Sequence, residues 1–157
     1  MDEIEMLKTI EGIRYLEARY ARYADEKRWA DLASLFLDEG TFASLDVEGN
    51  VLIEMVGRDD IAAKLAAANA GDVTPLHQLL TSEIDVLSPT TAKAIWAMAD
   101  IVIRGDDAIP EPGAAGDVPP FRTMRGYGHY HVTYAKIDGA WYIATRRQTR
   151  TRLEFTF

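Results

Sequence analysis

The sequence predicts an α+β cone-shaped barrel, with N-terminal helices packed on a long, curved, mostly antiparallel sheet. Three observations carry that expectation. Helical patterning is confined to the chain up to Ala70. Four long strand-like runs follow it, and tight-turn signals at Ser88-Pro89 and Asp138-Gly139 separate neighbouring runs. Helices on one face of such a sheet leave a pocket at the open end.

The elements follow in order. Ile4, Leu7, Ile10, Ile13, Tyr20 and Tyr23 recur at three- and four-residue steps with one seven-residue gap. Glu, Lys and Arg fill the positions between, which makes a long helix with one buried face. A second, short helix covers Trp29 to Leu37, with Trp29, Leu32, Leu35 and Phe36 inward. Thr41 to Leu45 and Val51 to Val56 read as strands joined through the turn signal Glu48-Gly49-Asn50. Arg58-Asp59-Asp60 opens an alanine-rich third helix, Ile61 to Ala70, where early aspartates suit a helix N-terminus and Gly71 is a natural stop. Leu76 to Leu87, Thr91 to Arg104, Phe121 to Ile137 and Trp141 to Arg152 are the sheet. Gly105 to Pro120 holds four of the six prolines and three glycines, a long connection that reads as a lid, an oligomer contact or a solvated insertion.

At 157 residues, 48% of them hydrophobic, the chain fits one domain with a real core, residues 1–157. The net charge of −8 argues against nucleic acid and anionic membrane surfaces as partners. With no cysteine, thiolate catalysis and cysteine-ligated metals are excluded. The acidic start, Met1 to Glu5, is followed by no long apolar run, so the expectation is a cytoplasmic protein without signal peptide or membrane span.

The candidate chemistry lies in a few side chains. Asp25 stands where the first helix gives way to a turn, and His77 begins the first long strand after the helical layer. A carboxylate and an imidazole so far apart in sequence can meet only in a folded pocket. A partner carboxylate fixes the imidazole tautomer and stabilises its cation, making a competent general base. Tyr20 and Tyr23 are core aromatics whose hydroxyls reach the rim, and the five-residue step from Tyr20 to Asp25 aims both tips past the helix end. In the cluster Tyr127-Gly128-His129-Tyr130-His131, period two puts Tyr127, His129 and His131 on one face. If that face looks inward, Tyr127 and His129 donate hydrogen bonds to substrate. Read as a metal half-site, the two histidines lack a third ligand, and no metal is expected. Among Arg146, Arg147, Arg150 and Arg152, one reaches the cavity to hold an oxyanion, with the phase open between Arg146 and Arg147.

In this order the residues resemble the SnoaL-like branch of the NTF2-like superfamily. The matching pieces are Tyr20-Ala-Arg-Tyr-Ala-Asp25, Trp29, Leu32 and Phe36, then Gly57-Arg58-Asp59-Asp60-Ile61 and Thr74-Pro-Leu-His77. The last is Asp138-Gly139-Ala-Trp141-Tyr-Ile143, leading to Arg146. Within the superfamily the chain is most similar to the group of scytalone dehydratase, bile-acid 7-alpha-dehydratase and hexachlorocyclohexane dehydrochlorinase. That resemblance implies an Asp–His pair at Asp25 and His77 in a cone-shaped pocket, a catalytic tyrosine at Tyr20, and a trimer, with a dimer as the wider superfamily habit. Scytalone dehydratase also carries a second strand histidine and an early-strand tyrosine, where this chain offers only Ala97 to Ile103 and Phe42 to Leu45. A larger apolar substrate is therefore implied.

These expectations add up to a lyase performing β-elimination on a hydrophobic ketone or hydroxylated ring, such as a steroid, bile-acid-like or polyketide molecule. His77, oriented by Asp25, takes the acidic proton, and Tyr20, His129 or Arg146 supplies hydrogen bonds. Trp29, Phe42, Met55, Leu79, Trp96 and Met98 form the apolar lining. No cofactor is required. The alternatives are a ketosteroid-type isomerase or polyketide cyclase in the same pocket, or a non-catalytic small-molecule binding or assembly module.

Overall fold

Asp2 starts the first helix by a reciprocal capping box with Glu5: the Asp2 carboxylate accepts from the Glu5 amide, and the Glu5 carboxylate accepts from the Asp2 amide. The computed structural model describes residues 1–110 and 120–157. Helix α1 runs Glu3–Asp25, α2 Trp29–Ser34 and α3 Arg58–Ala68. The strands are β1 Phe36–Leu45, β2 Val51–Val56, β3 Val73–Ser88, β4 Thr91–Arg104, β5 Thr123–Ile137 and β6 Ala140–Thr156. Asp106–Ala108 forms a short 3₁₀ turn, while the rest of the expectation for Gly105–Pro120 lies largely outside the described residues.

The six strands form one sheet in the order β2-β1-β6-β5-β4-β3. Every neighbouring pair is antiparallel except β1 with β6. Asp138 and Gly139 both take positive φ, which closes the β5–β6 hairpin in the tight turn those residues predict. With the helices on its inner side, the sheet gives the α+β cone. No helix among the described residues is long and apolar enough to cross a membrane.

Two expectations are corrected. The buried face of α1 is Ile13, Leu16, Glu17, Tyr20 and Ala24, not the row beginning at Ile4 and Leu7, which are 64% and 62% exposed. The second helix stops at Ser34 rather than Leu37, because β6 captures the chain: the Ile143 amide donates to the Leu35 carbonyl at 2.8 Å, and Phe36 pairs with Ile143. A cross-sheet bond of this kind leaves no local signal in Leu35-Phe36-Leu37.

The core joins α1 to the inner face of the sheet through Ile13, Leu16, Tyr20, Phe36, Phe42, Met55, Tyr130, Tyr134 and Ile143. On β5 the inward residues are Gly126, Gly128, Tyr130, Val132 and Tyr134, and the alternate ones are exposed. The outer face carries exposed Leu76, Ile95, Ile103 and Tyr127.

Ile13 is fully buried, so Ile13→Ala leaves a cavity against the sheet. Loss of about 2–5 kcal/mol of unfolding free energy is expected in urea denaturation.

Candidate functional site

Helix α1 ends in a Schellman motif. Lys27 takes the left-handed conformation (φ 56), its amide donates to the Ala24 carbonyl, and the Arg28 amide donates to the Tyr23 carbonyl at 2.8 Å. Lys27 Nζ then donates to the Gly71 carbonyl at 2.9 Å, tying this helix end to the turn that opens β3. The two elements are thereby fixed where Asp25 and His77 sit.

Asp25 Oδ1 accepts two hydrogen bonds from one residue, the His77 backbone amide at 2.7 Å and the His77 ring Nδ1 at 3.0 Å. A carboxylate only accepts, so Nδ1 carries the proton of the neutral ring and Nε2 keeps the lone pair. Among the described residues Nε2 has no hydrogen-bond partner, and it is not among the sealed polar atoms. The His77 side chain is 16% exposed and that of Asp25 33%. An oriented imidazole with a free, reachable Nε2 is the arrangement a general base requires.

The other predicted residues divide. Five helical residues set the side-chain directions of Tyr20 and Asp25 about 140° apart at the backbone. Tyr20, 3% exposed, lies edge-on to Tyr130 at 6.0 Å between ring centroids. The Arg146 guanidinium is sandwiched between these two rings, 3.6 Å from the Tyr20 centroid and 3.8 Å from that of Tyr130. Arg146 Nη1 donates to both oxygens of Glu17 at 2.9 Å, and the Tyr134 hydroxyl donates to Glu17 Oε1 at 2.6 Å. Trp96 Nε1 in turn donates to the Tyr134 hydroxyl at 3.0 Å. Arg146 Nε and Nη2 have no hydrogen-bond partner, and the two ring faces provide cation–π compensation instead. Of the two arginines left open by sequence phase, Arg146 is buried and Arg147 is exposed.

This network occupies the cone interior. Phe42, Met55 and Met98 belong to the core cluster around it. Trp29 and Tyr23 pack against the edge of the same cluster, and the Arg22 and Arg28 guanidiniums cover the Tyr23 ring. Tyr127 and His129 lie on the exposed face of β5, opposite the dyad, because Gly128 and Tyr130 hold the inward phase. His131 shares that outer face with His129, their ring centroids 6.4 Å apart. Among the described residues no third His, Asp or Glu joins them in a metal-sized group.

Two buried acidic residues are absent from the sequence expectation. Asp100 stands directly across from His77 in the β3–β4 register, and Arg150 binds its carboxylate in a fork, at 2.5 and 2.9 Å. Gly126 makes this possible, since a Cβ there would collide with both side chains. Glu17 is the other. The available signal was an acidic residue at the inward phase of an apolar element, Asp100 in Met98-Ala-Asp-Ile-Val and Glu17 beside Leu16 and Tyr20.

An open groove of about 630 Å³ follows the seam between α1 and β3. It is lined by Arg14, Glu17, Ala18 and Ala21 of the helix, the Leu79–Ser82 stretch of β3, and Trp96. Neither dyad residue lines it, yet Asp25 follows Ala21 by one helical turn and His77 precedes Leu79 by two strand residues.

Burial pushes the Tyr20 phenol up to about 12, against the opposing pull of Arg146. Tyr130 and Tyr134 are raised by burial as well. Burial alone would lower Arg146, but its pKa stands above the ordinary value because the Glu17 carboxylate more than offsets that loss. Partial burial, then the charges of His129 and Arg147, pull His131 down.

Comparison with known proteins agrees with this architecture. Residues 5–147 match the SnoaL-like domain. A curated relative, "Probable cyclase FGR4" of Gibberella zeae, is 24% identical over 147 residues, covering 88% of each chain. A candidate scytalone dehydratase from Novosphingobium aromaticivorans superposes with a TM-score of 0.80 at 19% identity, over 99% of this chain and 93% of that one. A type 2 hexachlorocyclohexane dehydrochlorinase superposes at 0.75 with 14% identity, over 99% and 94%.

Two predictions follow from the interior network. Glu17→Gln leaves the fully buried Arg146 without its counter-charge and should cost about 3–5 kcal/mol in denaturant unfolding, most of it restored when Arg146→Met is added. The second concerns alkali. Tyr20 holds its proton more tightly when folded than its ordinary value of 10.0, so its contribution is complete below pH 10 and is lost as pH rises through about 12. Tyrosinate absorbance should show a buried class ionising only as the protein unfolds in that window.

Proposed function

The chain belongs to the SnoaL-like domain family, and on that premise we propose that it is a cofactor-independent lyase. It removes water or a comparable leaving group from a carbon adjacent to an activated C–H on an apolar ketone or hydroxylated ring. The single observation carrying this reading is the Asp25–His77 pair: both His77 donors engage one carboxylate oxygen, and Nε2 remains free.

His77 Nε2 takes the proton next to the carbonyl, and the C–H electron pair moves toward the carbonyl to form an enolate. Asp25 stabilises the imidazolium that results. The enolate electrons then form the new carbon–carbon double bond as the hydroxyl departs, and the imidazolium returns the proton so that water leaves. A positioned base of this type contributes roughly 10²–10⁴ in rate.

The enolate oxygen needs a hydrogen-bond donor. Tyr20 retains its phenolic proton to high pH, and its hydroxyl is not among the sealed polar atoms. Arg150 is a second candidate, since it is anchored by the residue that pairs with His77 across the strands. A ring-forming cyclase is the second reading, favoured by the name of the Gibberella zeae relative, because cyclisation begins with the same proton abstraction.

His77→Asn keeps the hydrogen bond from the backbone amide and removes the base. It should fold normally, lower kcat/KM by about 10²–10⁴, and lose the acidic limb of the pH–rate profile. Mass spectrometry of products from hydroxy-ketone probes separates the readings, since loss of water identifies a lyase and unchanged mass a cyclase or isomerase. Full activity in His77→Asn would end both.

A further inference from the structure

The groove along the α1–β3 seam is built by a regular feature of the sequence. Arg14, Ala18, Ala21 and Asp25 are spaced four, three and four residues apart, so they form one stripe along α1. The facing row on β3 is His77, Leu79 and Ser82, and a register break between Leu79 and Ser82 interrupts the ladder there. Two alanines on one wall and a flared strand on the other leave space that larger side chains would fill. Trp96, paired with Ser82, contributes an aromatic surface.

The dyad closes one end of this stripe and Arg14 stands at the other. Eleven helical residues separate Arg14 from Asp25, roughly 16 Å at the helical rise. Among the described residues Arg14 pairs only with exposed Glu11, at 2.6 Å, a surface contact that an incoming carboxylate can replace at little cost. Glu17 also lines the groove, but both its oxygens are already engaged by Arg146 and one by Tyr134. The free charge on the groove wall is therefore positive and lies far from the base.

The geometry points to this seam as the substrate site, for an elongated, largely apolar molecule whose acidic end is held by Arg14 while its reacting carbon lies at His77. A volume of about 630 Å³ suits one such molecule. The inference rests on the dyad acting as the base and adds the substrate's shape and its charged end. It also makes Ala18 and Ala21 the residues that set specificity, by being small.

Direct binding tests it apart from turnover. A keto-steroid with a side-chain carboxylate and its methyl ester are titrated against the full chain by tryptophan emission, with Trp96→Phe assigning the signal. The acid should bind about fivefold more tightly than the ester, and Arg14→Gln should erase that preference without weakening the ester. Ala21→Phe, and separately Ala18→Phe, should abolish binding of both probes while circular dichroism stays unchanged. Binding indifferent to both phenylalanines, equal affinity for acid and ester, or no binding of either probe overturns the inference. If the groove behaves as stated but His77→Asn changes no turnover, the lyase reading fails and the binding site stands.

Discussion

The ion pair between Glu17 and Arg146 governs how this protein uses its interior. Both side chains are fully buried, and a buried charge without a partner is far costlier than the pair itself. Neither can therefore move alone. Glu17 is fixed to α1 and Arg146 to β6, so the pair sets the depth at which the helix lies on the sheet. Arginine suits the position because its flat cation fits between the rings of Tyr20 and Tyr130 while its edge reaches the carboxylate. The stack lies within the core beneath the sheet, and an open groove runs along the α1–β3 seam.

The dyad owes its geometry to the way a helix stops. A carboxylate in the last turn sits at the unfavourable end of the helix macrodipole, a penalty of about 0.3–1 kcal/mol. Two hydrogen bonds from His77 to that carboxylate outweigh it, since bonds to charged groups contribute about 1.5–3 kcal/mol each. The Schellman turn and the contact from Lys27 to Gly71 bring the strand to the helix end at the required distance. The juxtaposition of the two residues is assembled from capping and turn geometry.

Much of this was legible in the residues. The helix order, the turn at Asp138-Gly139 and the meeting of Asp25 with His77 follow from periodicity, turn chemistry and the matched motifs. Ile4 and Leu7 depart from the expected burial phase of α1 because amphipathic spacing continues past the edge of the sheet that covers the helix. For Tyr127 and His129, period two fixes which residues share a face and not which face is inward. The glycines decide it: Gly126 and Gly128 leave the inner side free for the Asp100–Arg150 pair and for the β6 backbone, which a Cβ would strike. Glu17 and Asp100 are absent from the sequence expectation for a shared reason. Each is a charge in an apolar phase, and the partner that makes it tolerable lies on another element, out of reach of local pattern.

Because β3 is the free margin of the sheet, its outward amides have no neighbouring strand to bond. Asp25 occupies one of those vacancies at the His77 amide with the same oxygen that orients the ring. On the proposed function the aspartate serves architecture and reactivity at once. A descendant that had abandoned the reaction would still have cause to retain it, whereas the imidazole would be at liberty to drift. Among relatives, persistence of the histidine is accordingly the sharper sign of a working enzyme.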